Sequence, residues 1–111
     1  MSSDIRDLVA VLARLGAHAL LLTVSEQERP FTTAVRVTWV EGQLIVPLDP
    51  HCRAVGHLLE RPFVSLLWPP EVDGGSYLTM ECLADLLGDQ VLMTPLKAER
   101  HKPDEVVFLA A

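Results

Sequence analysis

Ten residues, Phe31 to Val40, alternate without a break, and that alternation constrains the fold more than any other feature of the chain. Thr33, Val35, Val37 and Trp39 fall on one side, and Thr32, Ala34, Arg36 and Thr38 on the other. A period of two is the mark of a half-buried strand. Glu41-Gly42 follows as a tight turn, and Leu44 to Leu48 resumes the apolar pattern, so the segment reads as a β-hairpin. Pro47 cannot donate to a ladder, which places it at an edge or a bulge.

The flanking segments extend this sheet. His18 to Ser25 is a strand dominated by Leu20, Leu21, Leu22 and Val24, followed by a polar turn from Glu26 to Pro30. Asp49-Pro50 opens a loop, and His51 to Glu60 forms a short helix that ends before Pro62. Phe63 to Trp68 is the next strand. Pro69 to Gly75 is a loop. Ser76 to Leu87 and Gln90 to Arg100 pair across Gly88-Asp89 as a long hairpin. Upstream, Ile5, Leu8, Val9, Leu12 and Leu15 share one helical face, with Ser3 or Asp4 to cap the start and Gly16 the end. The apolar tail from Val106 to Ala111 is expected to dock on a neighbouring surface. The expected fold is mainly β: a six-stranded antiparallel sheet curled into a barrel, with an N-terminal helix and a short helix between strands three and four.

Bulk properties narrow the function classes. A chain of 111 residues makes one domain, residues 1–111, with room for a real core. A net charge of −6 argues against a broad nucleic-acid surface, although a local anion site is compatible with it. Cys52 and Cys82 are isolated and show no disulfide or metal-ligand spacing, which fits a reduced cytoplasmic setting. The N-terminus lacks the pattern of a secretion signal, and no apolar run is long enough to span a membrane.

The chemistry-bearing residues gather between Phe31 and Trp68. Arg36 lies on the second strand, and His51-Cys52-Arg53 lies where the loop enters the helix. Helix starts attract anions, so an arginine there makes a phosphate seat. His51 and His57 do not share a helix face and lack a third ligand, so no metal site is expected. Trp39 and Trp68 read as packing residues on strands. Gly74-Gly75 is a loop without the spacing of a phosphate loop. Glu81 and Asp85 lie on one strand face and read as solvated. Nothing supports hydrolase chemistry.

Taken in order, several pieces resemble the pyridoxamine 5′-phosphate oxidase-like, FMN-binding split-barrel family. They are Arg29-Pro30 before the second strand, the hairpin through Glu41-Gly42-Gln43-Leu44, Asp49-Pro50-His51-Cys52-Arg53-Ala54 in place of a loop ending in Ser-Arg-Lys, Leu58 to Pro62 leading into Val64 to Trp68, Gly74 to Tyr77, and His101-Lys102-Pro103. The resemblance spans His18 to Pro103. It implies a homodimer that holds FMN at the subunit interface. Arg36 and Arg53 would pair with the phosphate. Val37, Thr38, Leu48 and Asp49 would line the ring, His51 and Cys52 would belong to the loop, and Tyr77 would reach across from the second subunit. It implies a flavin-dependent oxidoreductase acting on a small molecule. Relatives of this shape also use the deazaflavin F420 or haem, and for haem His18 or His101 could serve as ligand. A cofactor-free dimeric binding or structural module is the alternative of another class. Two departures bear on affinity: Ala54 stands where the family has lysine, and Cys52 where it has serine. A charge-assisted hydrogen bond contributes on the order of 1.5–3 kcal/mol, so losing one weakens binding about ten- to a hundredfold. The C-terminal extension that carries the substrate-binding arginine and histidine of true pyridoxamine phosphate oxidases has no counterpart in this sequence.

Overall fold

The alternating run does not form one strand. In the computed structural model, which describes residues 18–25, 27–70, 75–102 and 105–110, it divides at Val37. The elements are β1 (His18–Val24), β2 (Pro30–Arg36), β3 (Thr38–Val40), β4 (Gln43–Pro47), α1 (Arg53–Glu60), β5 (Phe63–Trp68), β6 (Tyr77–Leu87), β7 (Gln90–Lys102) and β8 (Glu105–Ala110). They form one antiparallel sheet in the order β2-β1-β5-β6-β7-β4-β3, with β8 on β7. The count is thus eight strand segments rather than six. The second expected strand supplies two of them, and the tail, expected to dock on a neighbouring surface, does so by pairing with β7 as β8. The expected helix from Asp4 to Leu15 lies outside the described residues. Among those described, α1 is the one helix, and it is too short to cross a membrane.

The division has a topological cause. β2 and β3 occupy opposite ends of the strand order, yet only Val37 separates them in the chain. The sheet must therefore curl until its two ends meet, and β2 comes to lie near β4. Val37 is buried at this step, and the expected facing is kept on both sides of it. Val35 and Val37 are buried and Trp39 half-buried, while Thr32, Ala34, Arg36 and Thr38 are exposed.

The concave face carries the core. Leu21, Leu44, Val46, Leu66, Trp68, Leu78, Met80, Val91 and Met93 are almost entirely removed from water. Each such side chain contributes roughly 1.5–3 kcal/mol by burial. Trp68 is core, as the sequence implies. Its indole N–H has no partner among the described residues. α1 adds Ala54, Val55 and Leu58 to the interior and packs against β1, β2 and β6. The peptide N–H of Ala84 donates to the Pro62 carbonyl at 2.8 Å and ties the helix exit to β6.

Local chemistry sets the register. Val40 pairs with Gln43, leaving Glu41-Gly42 as a two-residue loop with φ of 49° and 83°. Two positive values define a type I′ turn, which matches the twist of a hairpin. Pro47 sits beyond Ile45, where the β3–β4 ladder ends, so β3 demands no hydrogen bond of it. In the β6–β7 ladder, Glu81 pairs with Lys97 but Cys82 with Pro95, so Leu96 is an inserted residue. Pro95 has no N–H to donate, and a bulge absorbs that loss. The insertion also reverses parity along β7, so Met93 before it and Ala98 after it both point inward.

Glutamate is a poor residue for left-handed backbone. Glu41→Asn is expected to raise stability by up to about 1 kcal/mol, since Asn-Gly favours this turn. Gly42→Ala is expected to lower it by about 1 kcal/mol through strain alone, because a Cβ there meets no atom within 4 Å. Denaturant midpoints of the two variants check both signs.

Candidate functional site

One cavity, of about 470 Å³, lies where the β1–β2 turn faces the start of α1. Arg29 and Phe31 line it from the turn and from β2, and Arg53 and His57 line it from the helix. Arg53 and His57 are four residues apart and therefore share a helix face. The turn is firmly held. Ser25 N–H donates to the Arg29 carbonyl at 2.9 Å, Arg29 N–H donates to Ser25 Oγ at 3.1 Å, and Glu28 N–H donates to the Ser25 carbonyl at 2.9 Å. Glu28 takes φ of 61° to complete it. His57 is fixed as well. Its Nδ1 shares a 3.0 Å hydrogen bond with Thr23 Oγ1, and its ring meets Phe31 edge-on at 5.1 Å.

The start of α1 is electrostatically incomplete. Cys52 is the N-cap but makes no side-chain capping bond, and the first turn holds no acidic residue. His51 N–H donates to Asp49 Oδ1 at 2.9 Å, and Cys52 N–H to the Asp49 carbonyl at 3.0 Å, so Asp49 organises the entry loop. Leu48 packs against the core, and its N–H donates to the Asp89 carbonyl at 3.0 Å. Cys52 is half-buried, whereas His51 and Arg53 are exposed.

The two arginines expected to share a phosphate are not brought together within one chain. Arg36 lies at the far end of β2, opposite His18, and lines a separate cavity of about 410 Å³ with Leu20, Ala34 and Pro69. From Pro30, beside the first cavity, to Arg36 is six strand steps, or about 20 Å. The arginine that joins Arg53 is Arg29, which in the sequence served only to mark a turn. His57 was also missed as a site residue. Its i, i+4 spacing from Arg53 was the available signal. Among the described residues no three His, Cys, Asp or Glu side chains gather in a metal-ligand group.

Tyr77 lies on the convex side of the sheet. Its ring stacks on His101 with centroids 4.7 Å apart, and Thr79 Oγ1 shares a 2.9 Å hydrogen bond with His101 Nε2. These groups line a third cavity, of about 370 Å³, with Ser65, Glu81, Lys97 and Glu99. Lys97 Nζ pairs with Glu99 at 2.8 Å, which raises the lysine pKa and lowers the glutamate pKa. Beside this polar row, Leu20, Leu22 and Leu67 are half-buried, and Phe63 is 70% exposed.

The shape has close counterparts among solved structures. A Clostridium acetobutylicum protein related to general stress protein 26, of the pyridoxinephosphate oxidase family, superposes with a TM-score of 0.78 at 12% identity, over 96% of each chain. The fold is that of the pyridoxamine 5′-phosphate oxidase-like split barrels. A pyridoxamine 5′-phosphate oxidase-related, FMN-binding protein from Nostoc punctiforme gives a TM-score of 0.71 at 9% identity, covering 87% of this chain and 82% of the other. A haem-binding protein from Mycobacterium smegmatis gives 0.78 at 9% identity; this chain is covered over 99% but spans only 59% of that protein. No protein-family model matches the sequence, and no curated protein resembles it. Within this split barrel the donors at the α1 cavity suit a phosphorylated ligand. They are two guanidiniums, an imidazole and an uncapped helix start. The Thr33 hydroxyl, buried and without a partner among the described residues, lies one pleat from Phe31 and outside the cavity lining.

The two cysteines differ sharply. Cys82 is fully buried, and burial first and the Glu81 charge second push its thiol from 9.0 up to about 12. Alkylation of the native protein at pH 8 is expected to modify Cys52 and spare Cys82 until denaturant is added. The raised value also gives a sign. Stability from Cys82 is full below pH 9 and declines as pH climbs towards 12, because the unfolded chain releases that proton first. Cys82→Ala should remove this part of the alkaline slope in a denaturation series.

Proposed function

We propose that this chain is an FMN-binding flavoprotein, acting as a homodimer in flavin-dependent oxidoreduction of a small molecule. The observation that carries the reading is the placement of Arg53. It stands at an uncapped helix start and lines a cavity at one end of β2, in a barrel whose structural neighbours include an FMN-binding protein. The phosphate would sit at that end. The ring would extend along β2 towards Arg36, Val37 and Thr38, with Leu48 and Asp49 beside it and Tyr77 supplied by the second subunit.

Bound flavin would supply the hydride or electron chemistry. This chain would bind and orient it, and the apolar strand faces would limit water. The free state of both cysteines supports a reduced, cytoplasmic setting. The homodimer is supported by the convex sheet face, where Leu20, Leu22, Leu67 and Phe63 form an apolar area that a second copy would cover.

Titration of the folded protein with FMN, riboflavin and F420 tests the cofactor. FMN is expected to bind with a Kd on the order of 1 µM or tighter, about 8 kcal/mol, with quenching of flavin fluorescence. A folded protein that takes up no flavin rejects the reading. Light scattering tests the assembly. The expected mass is twice that of one chain, and Phe63→Glu should shift it to one.

A further inference from the structure

We infer that Arg29, Arg53 and His57 together form a binding site for a phosphomonoester dianion, in which Arg29 supplies the second cation. The inference rests on the flavin reading only for the identity of the group attached to the phosphate.

The helix determines which residues can take part. Ala54 is 1% exposed and belongs to the core, so position 54 points inward, away from the cavity. A lysine there would enter apolar packing or have to snorkel out of it. The α1 face that does line the cavity carries Arg53 and His57. A second strong cation must therefore come from another element, and the β1–β2 turn provides Arg29.

The turn is built to hold that arginine. Three hydrogen bonds tie Glu28 and Arg29 to Ser25. Glu28 accepts left-handed backbone to close it, a cost of about 1–2 kcal/mol that glycine would avoid. The backbone that carries Arg29 at the cavity is thereby set before any ligand arrives, which reduces part of the ordering cost of binding.

Among the described residues, charge within the cavity is unbalanced. No carboxylate of a described residue lines it, and neither guanidinium has an ion-pair partner among the described residues. Glu60 lies one step away, lining an adjoining hollow with Arg53, Gly56 and His57. Arg53 stands in the first turn of α1, where the helix dipole favours an anion and opposes a cation. A dianion between Arg29 and Arg53 removes that conflict and takes charge-assisted hydrogen bonds from both. When the Thr23 hydroxyl donates to Nδ1, the remaining nitrogen of His57 carries a proton and is a third donor.

Two measurements on the full chain test the site. The first compares FMN with riboflavin, which differ by the phosphate, in the parent protein and in Arg29→Gln, Arg53→Gln and Arg61→Gln. Arg29→Gln and Arg53→Gln should each weaken FMN about ten- to a hundredfold and leave riboflavin unchanged. Arg61, exposed and outside the cavity, is the control. An FMN-to-riboflavin ratio unchanged in Arg29→Gln overturns the role of Arg29 while leaving the flavin reading intact. The second adds inorganic phosphate at constant ionic strength and follows the arginine Nε–H and histidine ring signals by NMR. It decides the matter if neither flavin binds. Shifts at Arg29, Arg53 and His57 that are lost in Arg29→Glu then keep the anion site and retire the flavin, whereas no shift overturns the proposal.

Discussion

The step through Val37 governs the rest of the molecule. A sheet whose end strands β2 and β3 are joined by one residue cannot stay open. Curling turns one face into an interior and brings the outermost strands together, and it leaves few free edges for other chains to add to. A polar residue at 37 would have to be buried where the two ends meet. The alternation running from Thr33 through Trp39 survives the step because Val37 keeps its inward facing without a ladder partner among the described residues.

The interior formed in this way decides where chemistry can reside. α1 closes over β1, β2 and β6 with Ala54, Val55 and Leu58, so only its opposite side and its start remain available to a ligand. The β1–β2 turn then faces that start across a cavity, with His57 held between Thr23 and Phe31. Thr23 and Phe31 are register partners in the β1–β2 ladder. The position of the imidazole therefore follows from sheet pairing rather than from the helix alone.

The strands and turns were legible in the sequence because period-two alternation and Glu41-Gly42 are local signals. Gly42 adopts the positive φ that such a turn requires, and Thr33 to Trp39 face as the pattern implies. The break at Val37 was not legible. An uninterrupted alternation carries no mark of changing partners, and the change arises from sheet closure. β8 was missed for a similar reason: its pairing depends on how far β7 extends beyond β4. At the candidate site, the position of Arg53 at a helix start could be read from the sequence. The place of Arg29 beside it could not, since a turn residue gains its meaning from what it faces. Arg36 looked equivalent to Arg53 in the sequence, and only the length of β2 separates them.

The convex face bears on the proposed pairing of two chains. β1 is apolar at Leu20 and Leu22 as well as at Leu21, which is the pattern of a strand covered on both sides. Among the described residues, one chain covers only the inner side. The polar row on β6 and β7 is a modest obstacle to covering the other, because most of its groups have partners and Glu81 lies across the ladder from Lys97. Lys97 pairs with Glu99, Thr79 bonds His101, and Tyr77 stacks on that same imidazole. A second copy that met this face would desolvate groups with partners in hand, which is far less costly than burying lone charges. The half-apolar, half-paired composition of the face thus favours burial against a like surface over permanent exposure to water.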